Sequence, residues 1–310
     1  MSYVKDVVIV HVLKRVIKMR IIKEINTYLY NKNTNTKIMH ISDIHYSGAC
    51  DSKRLDFLYE KLSNYEVDYI CITGDLIDSN NVIYDAFNKS LLINWLKKIS
   101  SNRKVLISLG NHDLFKRIGS SVEKCYNKTF WSEIKNINNI YLLDNTYYED
   151  DKVFVVGYTQ SFDYYYKYKK EDVNIMYNEL RRLNIKLNNN KLKVLLMHSP
   201  ICFKDEKIYN KLKEYDLILS GHMHNGMVLP LIDEIFDNNV GLISPSKKLF
   251  PPLARGNVHN DNILIISPGI LKLHITVTPL IRWLNIFFPV PINIINVGKY
   301  KYSKTYNYHK

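Results

Sequence analysis

The chain of 310 residues carries 43 Lys and Arg against 30 Asp and Glu, a formal net charge of +13, and 46% of its residues are hydrophobic. This composition excludes collagen-like, disulfide-rich and broadly disordered proteins, and it allows one domain with a sizeable core. Because the four cysteines show neither a CxxC pair nor zinc-finger spacing, we expect reduced thiols rather than a disulfide framework.

The positive charge predicts anionic partners, but it does not choose among phosphorylated metabolites, nucleic acid and acidic lipid. No platform of interleaved aromatic and basic residues and no helix-turn-helix pattern is present, so the sequence carries no specific nucleic-acid signal. It also lacks an apolar run long enough for a transmembrane helix. The cysteines, read as reduced thiols, favour a reducing compartment, and we expect a cytoplasmic protein.

Residues 1–25 form the first predicted segment. Their apolar residues recur at helical spacing between basic ones and predict an amphipathic helix: Val12, Leu13, Val16, Ile17, Ile21 and Ile25. Such a helix lies either on an anionic membrane surface, as a peripheral contact, or on the protein's own core. The pattern alone leaves both alternatives open. Residues 26–300 are predicted to form the main domain, and residues 301–310 a polar tail.

From about residue 27, short apolar strands alternate with helices, which predicts an α/β protein. We expect a hairpin from residues 28–30 and 37–42. Further strands are predicted at Tyr69–Thr73, Lys104–Leu109, Val153–Tyr158, Lys193–Met197, Leu217–Ser220, Ile263–Ser267, Leu271–Val277 and Ile292–Val297. Helical periodicity predicts helices at Tyr84–Ile99 and Val173–Leu187.

Two later segments have unusual compositions. Residues 238–262 are rich in Pro, Gly, Ser, Asn and Lys, which favours a long functional loop. The aromatic segment Leu280–Val290 is interpreted as a core helix before the last strand. A pocket for a lipid-like substrate or a membrane contact is the alternative for this segment.

Polar side chains follow five of the predicted strands. The successive strand ends are Ser42–His45, Gly74–Asp78, Gly110–Asp113, His198–Ser199 and Gly221–His224. For each fragment alone, a turn or a cap is the better explanation. Because ligands bind at the carboxyl ends of strands in open α/β sheets, we expect all five to meet in one crevice.

So many buried carboxylates and imidazoles require compensating cations. The donors are imidazole nitrogen with carboxylate and amide oxygen, without thiolate. This set suits Mn²⁺, Fe or Zn²⁺ better than a thiolate zinc site or an all-oxygen Ca²⁺ cage. A shared carboxylate could bridge two ions about 3.5–4 Å apart, as two-metal hydrolases require.

Taken in order, Asp43-x-His45, Gly74-Asp75-x-x-Asp78, Gly110–Asp113, His198 and Gly221-His222-x-His224 resemble the calcineurin-like metallophosphoesterase family. The resemblance implies a four-layer α/β/β/α sandwich of two mixed β-sheets. It further implies a metal-dependent phosphohydrolase in which a hydroxide bridging two divalent metal ions, Mn²⁺ foremost, attacks a phosphate monoester, diester or pyrophosphate, including a lipid-linked or small phospho-substrate.

Carried over position by position, the resemblance assigns roles to individual residues. The first metal would be held by Asp43, His45, Asp75 and His224. The second would be held by Asp75, Asn111, His198 and His222, with Asp75 as the bridge. His112 resembles the family's catalytic histidine that binds no metal, and Asp78 resembles its orienting partner.

Other features narrow the prediction. Gly221–Gly226, followed by Pro230, resembles the bacterial YkuE-type single-domain phosphohydrolases. Ser79 stands where protein phosphatases have an arginine, which disfavours that activity. Asp113 is predicted to orient a metal ligand from behind.

The candidates for substrate contact are Tyr46, Lys247, Lys248 and Arg255, for each of which an ordinary surface role is the alternative. A nuclease or cyclic-nucleotide phosphodiesterase and a non-catalytic scaffold are the competing functions. The intact motif set disfavours the scaffold.

Overall fold

The computed structural model describes residues 22–31, 34–48, 51–79, 81–118, 121–167, 171–228, 239–245, 248–259, 262–270 and 290–298. Several predictions lie outside these residues. They are the basic helix up to residue 21, the strand Leu271–Val277, nearly all of Leu280–Val290, and the polar tail 301–310.

The described strands form two six-stranded mixed sheets and one two-stranded ribbon. The first sheet has the order β1-β14-β2-β3-β4-β7 and contains β1 (Ile22–Tyr30), β2 (Thr36–Ile41), β3 (Tyr69–Thr73), β4 (Lys104–Ser108), β7 (Ile140–Leu142) and β14 (Val290–Gly298). The second has the order β12-β13-β11-β10-β9-β8 and contains β8 (Thr146–Glu149), β9 (Val153–Tyr158), β10 (Leu192–Met197), β11 (Leu217–Ser220), β12 (Gly256–His259) and β13 (Ile263–Ile266). The ribbon pairs β5 (Phe115–Ile118) with β6 (Ser121–Lys124).

The described helices connect these strands. They are α1 (Ser52–Ser63), α2 (Asn81–Tyr84), α3 (Ala86–Ile99), α4 (Asn111–Leu114), α5 (Lys128–Lys135), α6 (Val173–Arg182) and α7 (Glu206–Leu212), with a π-helical turn at Asp163–Lys167 and a 3₁₀ turn at His224–Met227. Within the described part of the chain, none of them has the length and hydropathy that crossing a membrane requires.

The side chains divide the molecule into four layers. In β9, Val153 and Val155 lie in the core between the two sheets, whereas Phe154 and Val156 pack in the core that includes Met176 of α6. The alternation follows from the two-residue period of a strand. The first sheet is covered in the same way by α1, α3 and α5 on its outer face. The predicted α/β/β/α sandwich is therefore confirmed.

The predicted hairpin is wrong, because β14 lies between β1 and β2. It pairs parallel with β1 and antiparallel with β2. Residues 291–295 of β14 are all buried, while β1 alternates between exposed residues such as Tyr28 and buried ones such as Leu29. A strand that is apolar on both faces is stable inside a sheet, and an alternating strand tolerates the edge.

The helix predicted through Ile25 is also wrong over its last residues, because β1 begins at Ile22. This strand crosses the predicted domain boundary at residue 26. The predicted helix at Tyr84–Ile99 is divided: Tyr84 ends α2, and the side chain of Asp85 caps α3 by accepting the backbone N–H of Asn88 at 2.7 Å.

The helix predicted at Val173–Leu187 ends at Arg182. Beyond it, Leu183, Ile185 and Leu187 pack at every second residue against the core of the second sheet. That spacing matches an extended chain, not a helix. The predicted loop 238–262 contains the strand β12, which pairs with β13.

Candidate metal centre

The five polar strand ends meet where the two sheets adjoin. Three of them follow β2, β3 and β4, which are parallel neighbours in the first sheet. The other two follow β10 and β11, which are parallel neighbours in the second sheet. The structure thus brings the carboxyl ends of five strands to one place, as expected from the sequence.

Three groups of described side chains there have the composition of metal sites. The first contains Asp43, His45 and His224, the second contains Asp75, His198 and His222, and the third contains His45, Asp78 and His112. Within each group the possible ligand atoms lie within 4.8 Å of one another. The first and second groups lie within the two predicted ligand sets, and the ligand roles themselves stay predictions.

Asp75 belongs to the second group and also faces the first. Its Oδ1 accepts the backbone N–H of His112 at 2.8 Å. Its Oδ2 lies 3.5 Å from Nε2 of His45 and 3.1 Å from Nε2 of His198, so one oxygen faces a histidine of each group. This is the position that the predicted bridging ligand requires.

The hydrogen bonds of His198 fix the direction of its lone pair. Its Nδ1 lies 2.7 Å from the carbonyl oxygen of Thr73, which can only accept, so Nδ1 must carry the proton. In the neutral ring, Nε2 then presents a lone pair to the Asp75 carboxylate. Neither Nε2 of His198 nor Oδ2 of Asp75 has a hydrogen bond to any described residue. Two facing acceptors are stabilised by a cation between them, which is a metal ion or, in the metal-free protein, the proton that the raised pKa of His198 favours.

The remaining donors support the same conclusion. Nδ1 of His224 and Oδ1 of Asn111 also lack hydrogen bonds to described residues, although both atoms are buried. Buried polar atoms without partners are rare and costly in folded proteins. The donors present therefore fit a divalent cation at the first group and another at the second.

The backbone at these positions is strained. Five of the predicted ligands have φ in the left-handed region: Asp43 (54°), His45 (44°), Asp75 (52°), His222 (69°) and His224 (47°). Each such residue costs roughly 1–2 kcal/mol, and strain of this kind concentrates at functional sites. The rest of the fold must hold these side chains where they are.

Contacts between the sheets supply part of that support. The backbone N–H of His222 donates to both carboxylate oxygens of Asp43, at 3.1 and 3.2 Å. Gly221 lies directly against Ser42 and Asp43, where a Cβ atom would overlap both side chains. The two sheets therefore meet at the predicted ligands themselves.

The electrostatic field of the site attracts positive charge. Burial opposes protonation of His45, but the Asp43 and Asp78 carboxylates more than offset it and raise its pKa to about 10. Burial likewise opposes protonation of His198, yet Asp75 raises its pKa to about 9. Burial dominates at His224 and lowers its pKa to about 3. The buried carboxylates of Asp43 and Asp75 thus favour positive charge at the site.

His112 differs from the predicted ligands in exposure. Its side chain is 40% exposed, whereas those of His45, His198 and His224 are 3%, 0% and 16% exposed. Its ring meets that of His45 edge-on, with 4.6 Å between centroids. His112 is therefore the histidine that reaches the open cleft.

Asp78 contacts His112, as predicted, but through its backbone carbonyl. Nδ1 of His112 donates to the backbone carbonyl of Asp78 at 2.7 Å, while the Asp78 carboxylate lies 3.8 Å away. That carboxylate lies 3.6 Å from Nδ1 of His45. The carbonyl thus satisfies Nδ1 of His112, and the carboxylate also faces His45.

The candidates for substrate contact differ in burial. Tyr46 is fully buried in the core, and its hydroxyl donates to the carbonyl of Asn88 at 2.9 Å, so its predicted contact with substrate is wrong. Its ring belongs to the core that also contains Ile44 and Ile77. Arg255 is buried and Lys248 is exposed, and their contact with substrate stays a prediction. Lys247 lies outside the described residues.

Asp113 has the supporting position that was expected of it. Its carboxylate accepts the backbone N–H groups of Asp75 and Gly110, each at 2.8 Å, and that of Ile77 at 3.2 Å. It thereby fixes the turn that carries Asp75, the predicted bridging residue.

Two buried charged residues at the site were missed by the sequence reasoning. The guanidinium of Arg54 in α1 donates to the carbonyls of Ile44 and His45 and so holds the Asp-x-His turn. Oε1 of Glu171 lies 3.1 Å from Nε2 of His222. Neither residue has a motif around it, because both reach the site through the tertiary fold.

Comparisons with known proteins identify the family of this chain. Residues 36–226 match the family model described as calcineurin-like phosphoesterase. An uncharacterized metallophosphoesterase of Campylobacter jejuni is 25% identical over 211 residues, which cover 68% of this chain and 50% of that protein. One of Aquifex aeolicus is 25% identical over 232 residues, covering 72% of this chain and 78% of that protein.

The chain spans about half the length of the Campylobacter jejuni and Helicobacter pylori relatives that it matches. Among solved structures, a dimetal phosphatase from Danio rerio aligns with 9% identity and a TM-score of 0.41, covering 76% of this chain and 87% of that chain. The family match takes in every metal-site motif from Asp43 to His224. The chain belongs to the calcineurin-like phosphoesterase family.

Proposed function

We propose that this protein is a dinuclear metal-dependent phosphohydrolase that cleaves phosphate monoester, diester or pyrophosphate bonds. The observation that supports the proposal most is the position of Asp75 Oδ2, which faces His45 of one donor group and His198 of the other. Family membership supports metal-dependent cleavage of phosphate esters. The partner in this reaction is a phosphate-containing substrate.

When bound, two divalent cations would make a shared water acidic enough to supply hydroxide near neutral pH and would stabilise charge on the phosphoryl oxygens. The first group (Asp43, His45, His224) and the second (Asp75, His198, His222) would hold them, with Asn111 as a further oxygen donor. Mn²⁺ is the proposed metal, because the donors are nitrogen and oxygen without thiolate.

The chain's own acid is His112. Its Nδ1 is bonded to the Asp78 carbonyl, so Nε2 is the ring atom that remains for substrate. Because Nδ1 keeps its proton on the Asp78 carbonyl, Nε2 donates a proton to the alkoxide that leaves phosphorus from the doubly protonated ring. Burial opposes that form by lowering the pKa of His112, and the Asp75 carboxylate favours it. Asp78 and Asp113 act behind the reacting groups, on His45 and on the turn that carries Asp75.

A hydrolysis assay with the Mn²⁺-loaded protein tests the proposal. p-Nitrophenyl phosphate reports on monoesters, bis-p-nitrophenyl phosphate on diesters, and a nucleoside diphosphate on pyrophosphate bonds. We expect turnover of at least one of them, its loss after chelation, and its return with Mn²⁺. Cleavage confined to oligonucleotides or cyclic nucleotides would favour the nuclease or phosphodiesterase alternative. Two bound metal ions without turnover of any ester would favour the scaffold.

Peripheral membrane contact and a cytoplasmic location are further proposals. They rest on the basic amphipathic pattern of residues 1–25 and on the cysteines, which are read as reduced thiols. Pelleting of the full chain with anionic liposomes, compared with neutral ones, tests the membrane contact. Equal recovery in both pellets would contradict it.

A further inference from the structure

A buried glutamate outside the predicted ligand set faces one of its histidines. Oε1 of Glu171 lies 3.1 Å from Nε2 of His222, and the two side chains are 3% and 7% exposed. His222 belongs to the second donor group, together with Asp75 and His198. Burying a carboxylate is costly unless it is bonded to a polar or charged partner. Its place beside a predicted ligand therefore requires a reason.

The backbone holds Glu171 firmly in this position. Its N–H donates to the carbonyl of Tyr164 at 2.8 Å, and its carbonyl accepts from the thiol of Cys202 at 3.3 Å. Its φ of 58° is left-handed, a conformation that most residues with a side chain avoid. A strained and buried residue of this kind is a candidate for a functional role.

The chemistry of the contact fixes which nitrogen of His222 carries the proton. An ionised carboxylate can only accept, so Nε2 must be the donor and must carry hydrogen. In the neutral ring, Nδ1 then holds the lone pair. His198 is arranged in the opposite sense, because its Nδ1 donates to the Thr73 carbonyl and its Nε2 is left for the site. Each histidine of the second group thus has one nitrogen assigned to an acceptor behind it.

We propose that Glu171 is a positioning residue of the second metal site, which holds His222 with its proton on Nε2 and presents Nδ1 to the cation. The inference rests on the proposed two-metal function and extends it. Carboxylates that accept from a ligating histidine orient the ring and increase its basicity. Removing such a partner weakens metal binding by about 10–100-fold.

Two substitutions separate positioning from support of the fold. Glu171→Gly removes the side chain but suits the left-handed backbone, so the metal-free protein should keep its melting temperature. Glu171→Gln keeps an oxygen acceptor and removes the charge. Glu179→Gln is the matched control, because Glu179 accepts from the hydroxyl of Tyr158 at 2.6 Å and belongs to neither donor group.

Calorimetric titration of full-length, metal-free protein with Mn²⁺ measures the effect at each site. In a His224→Ala background the second site remains, and Glu171→Gly should weaken binding by about 10–100-fold. In a His198→Ala background the first site remains, and the same substitution should have no effect. Glu171→Gln should weaken Mn²⁺ binding less than Glu171→Gly does. Glu179→Gln should bind Mn²⁺ as tightly as its parent.

Several results would overturn the proposal. Unchanged affinity at the second site would show that Glu171 does not act on it. An equal loss of Mn²⁺ affinity in Glu171→Gln and Glu171→Gly would indicate that the carboxylate itself is a metal ligand. A lower melting temperature of the metal-free Glu171→Gly variant, with unaltered Mn²⁺ affinity, would reduce the role to support of the fold. If the parent protein itself fails to bind two ions, the proposed function fails instead.

Discussion

His112 and Asp78 make different contacts within the site. The His112 ring is held by a backbone carbonyl, and the Asp78 carboxylate lies closer to His45 than to His112. A backbone group cannot be removed by changing a side chain. The two residues should therefore respond differently to substitution, although their motifs suggest one catalytic pair.

We expect His112→Ala to keep its metal content and to lower kcat by about 10²–10⁴-fold, because it removes the proposed general acid and no predicted metal ligand. Steady-state kinetics with Mn²⁺ and metal analysis of the same sample measure both quantities. Full activity of this variant would exclude the role of His112.

Asp78→Ala should lower kcat less than His112→Ala, because the Asp78 carbonyl remains to hold the His112 ring. It should weaken Mn²⁺ binding at the first site instead, by about tenfold, because the carboxylate faces His45. Equal losses of kcat in the two variants, with unchanged Mn²⁺ affinity, would indicate that the Asp78 carboxylate acts directly on His112.

Helix α1 contributes to the site although none of its residues is a predicted ligand. Arg54 lies near its start, forms an ion pair with Asp51 at 3.5 Å, and donates to the carbonyls of Ile44 and His45. A helix is a rigid support, so it can hold a strained turn in one conformation. The position of the Asp43 and His45 side chains thus depends on an element of the first sheet's outer layer.

Arg54→Met should weaken Mn²⁺ binding at the first site by about tenfold, because the turn that carries Asp43 and His45 loses its anchor. Arg103→Met is the matched control: Nη1 of Arg103 donates to the carbonyl of Leu62 near the other end of α1, at 2.8 Å. Titration with Mn²⁺ measures both variants. Equal affinity in the two would show that Arg54 supports the helix and not the site.

At the scale of elements, the sequence predicted the bounds of strands but not the contacts between residues that are far apart in the chain. The strands that carry the motifs were predicted within a residue of their ends, because their apolar runs are short and end in polar clusters. The hairpin failed because β14, more than 240 residues after β2, takes the place between β1 and β2. Arg54 and Glu171 were missed for the same reason, since nothing beside them in sequence marks their contacts.

In the whole molecule, a second polar cluster joins the two sheets through Asp150. Its Oδ2 accepts from Tyr69 of β3 and Lys104 of β4, both at 2.6 Å, and from Tyr148 of β8 at 2.8 Å. Its Oδ1 accepts the backbone N–H of Val153 in β9 at 3.1 Å. One carboxylate thus connects two strands of each sheet.

Asp150→Asn should lower the free energy of unfolding at neutral pH by about 2 kcal/mol, because bonds to a charged acceptor become bonds to a neutral one. Asp163→Asn, which removes an exposed ion pair with Lys167, should change it by less than about 0.5 kcal/mol. Urea unfolding of the metal-free proteins measures both. Equal small effects would mean that the cluster does not join the sheets.

The effect of Asp150 should depend on pH. Burial opposes its ionisation, but the hydrogen bond from Lys104 more than offsets this and lowers its pKa. The carboxylate therefore stabilises the fold above its unfolded pKa of about 3.9, and this contribution is lost as the pH falls below about 4. The difference between wild type and Asp150→Asn should shrink from pH 7 to pH 3. A difference that is constant over this range would contradict the assignment.

The central claim is that Asp75 joins two metal sites, and counting metal ions tests it most directly. Equilibrium dialysis against Mn²⁺, followed by metal analysis, should find about two ions per wild-type chain. The Asp43→Asn control should keep about one, because the second group remains. Asp75→Asn should lose both at the same free Mn²⁺ concentration, because its Oδ2 faces both groups. Two ions per Asp75→Asn chain, bound with wild-type affinity, would contradict the account.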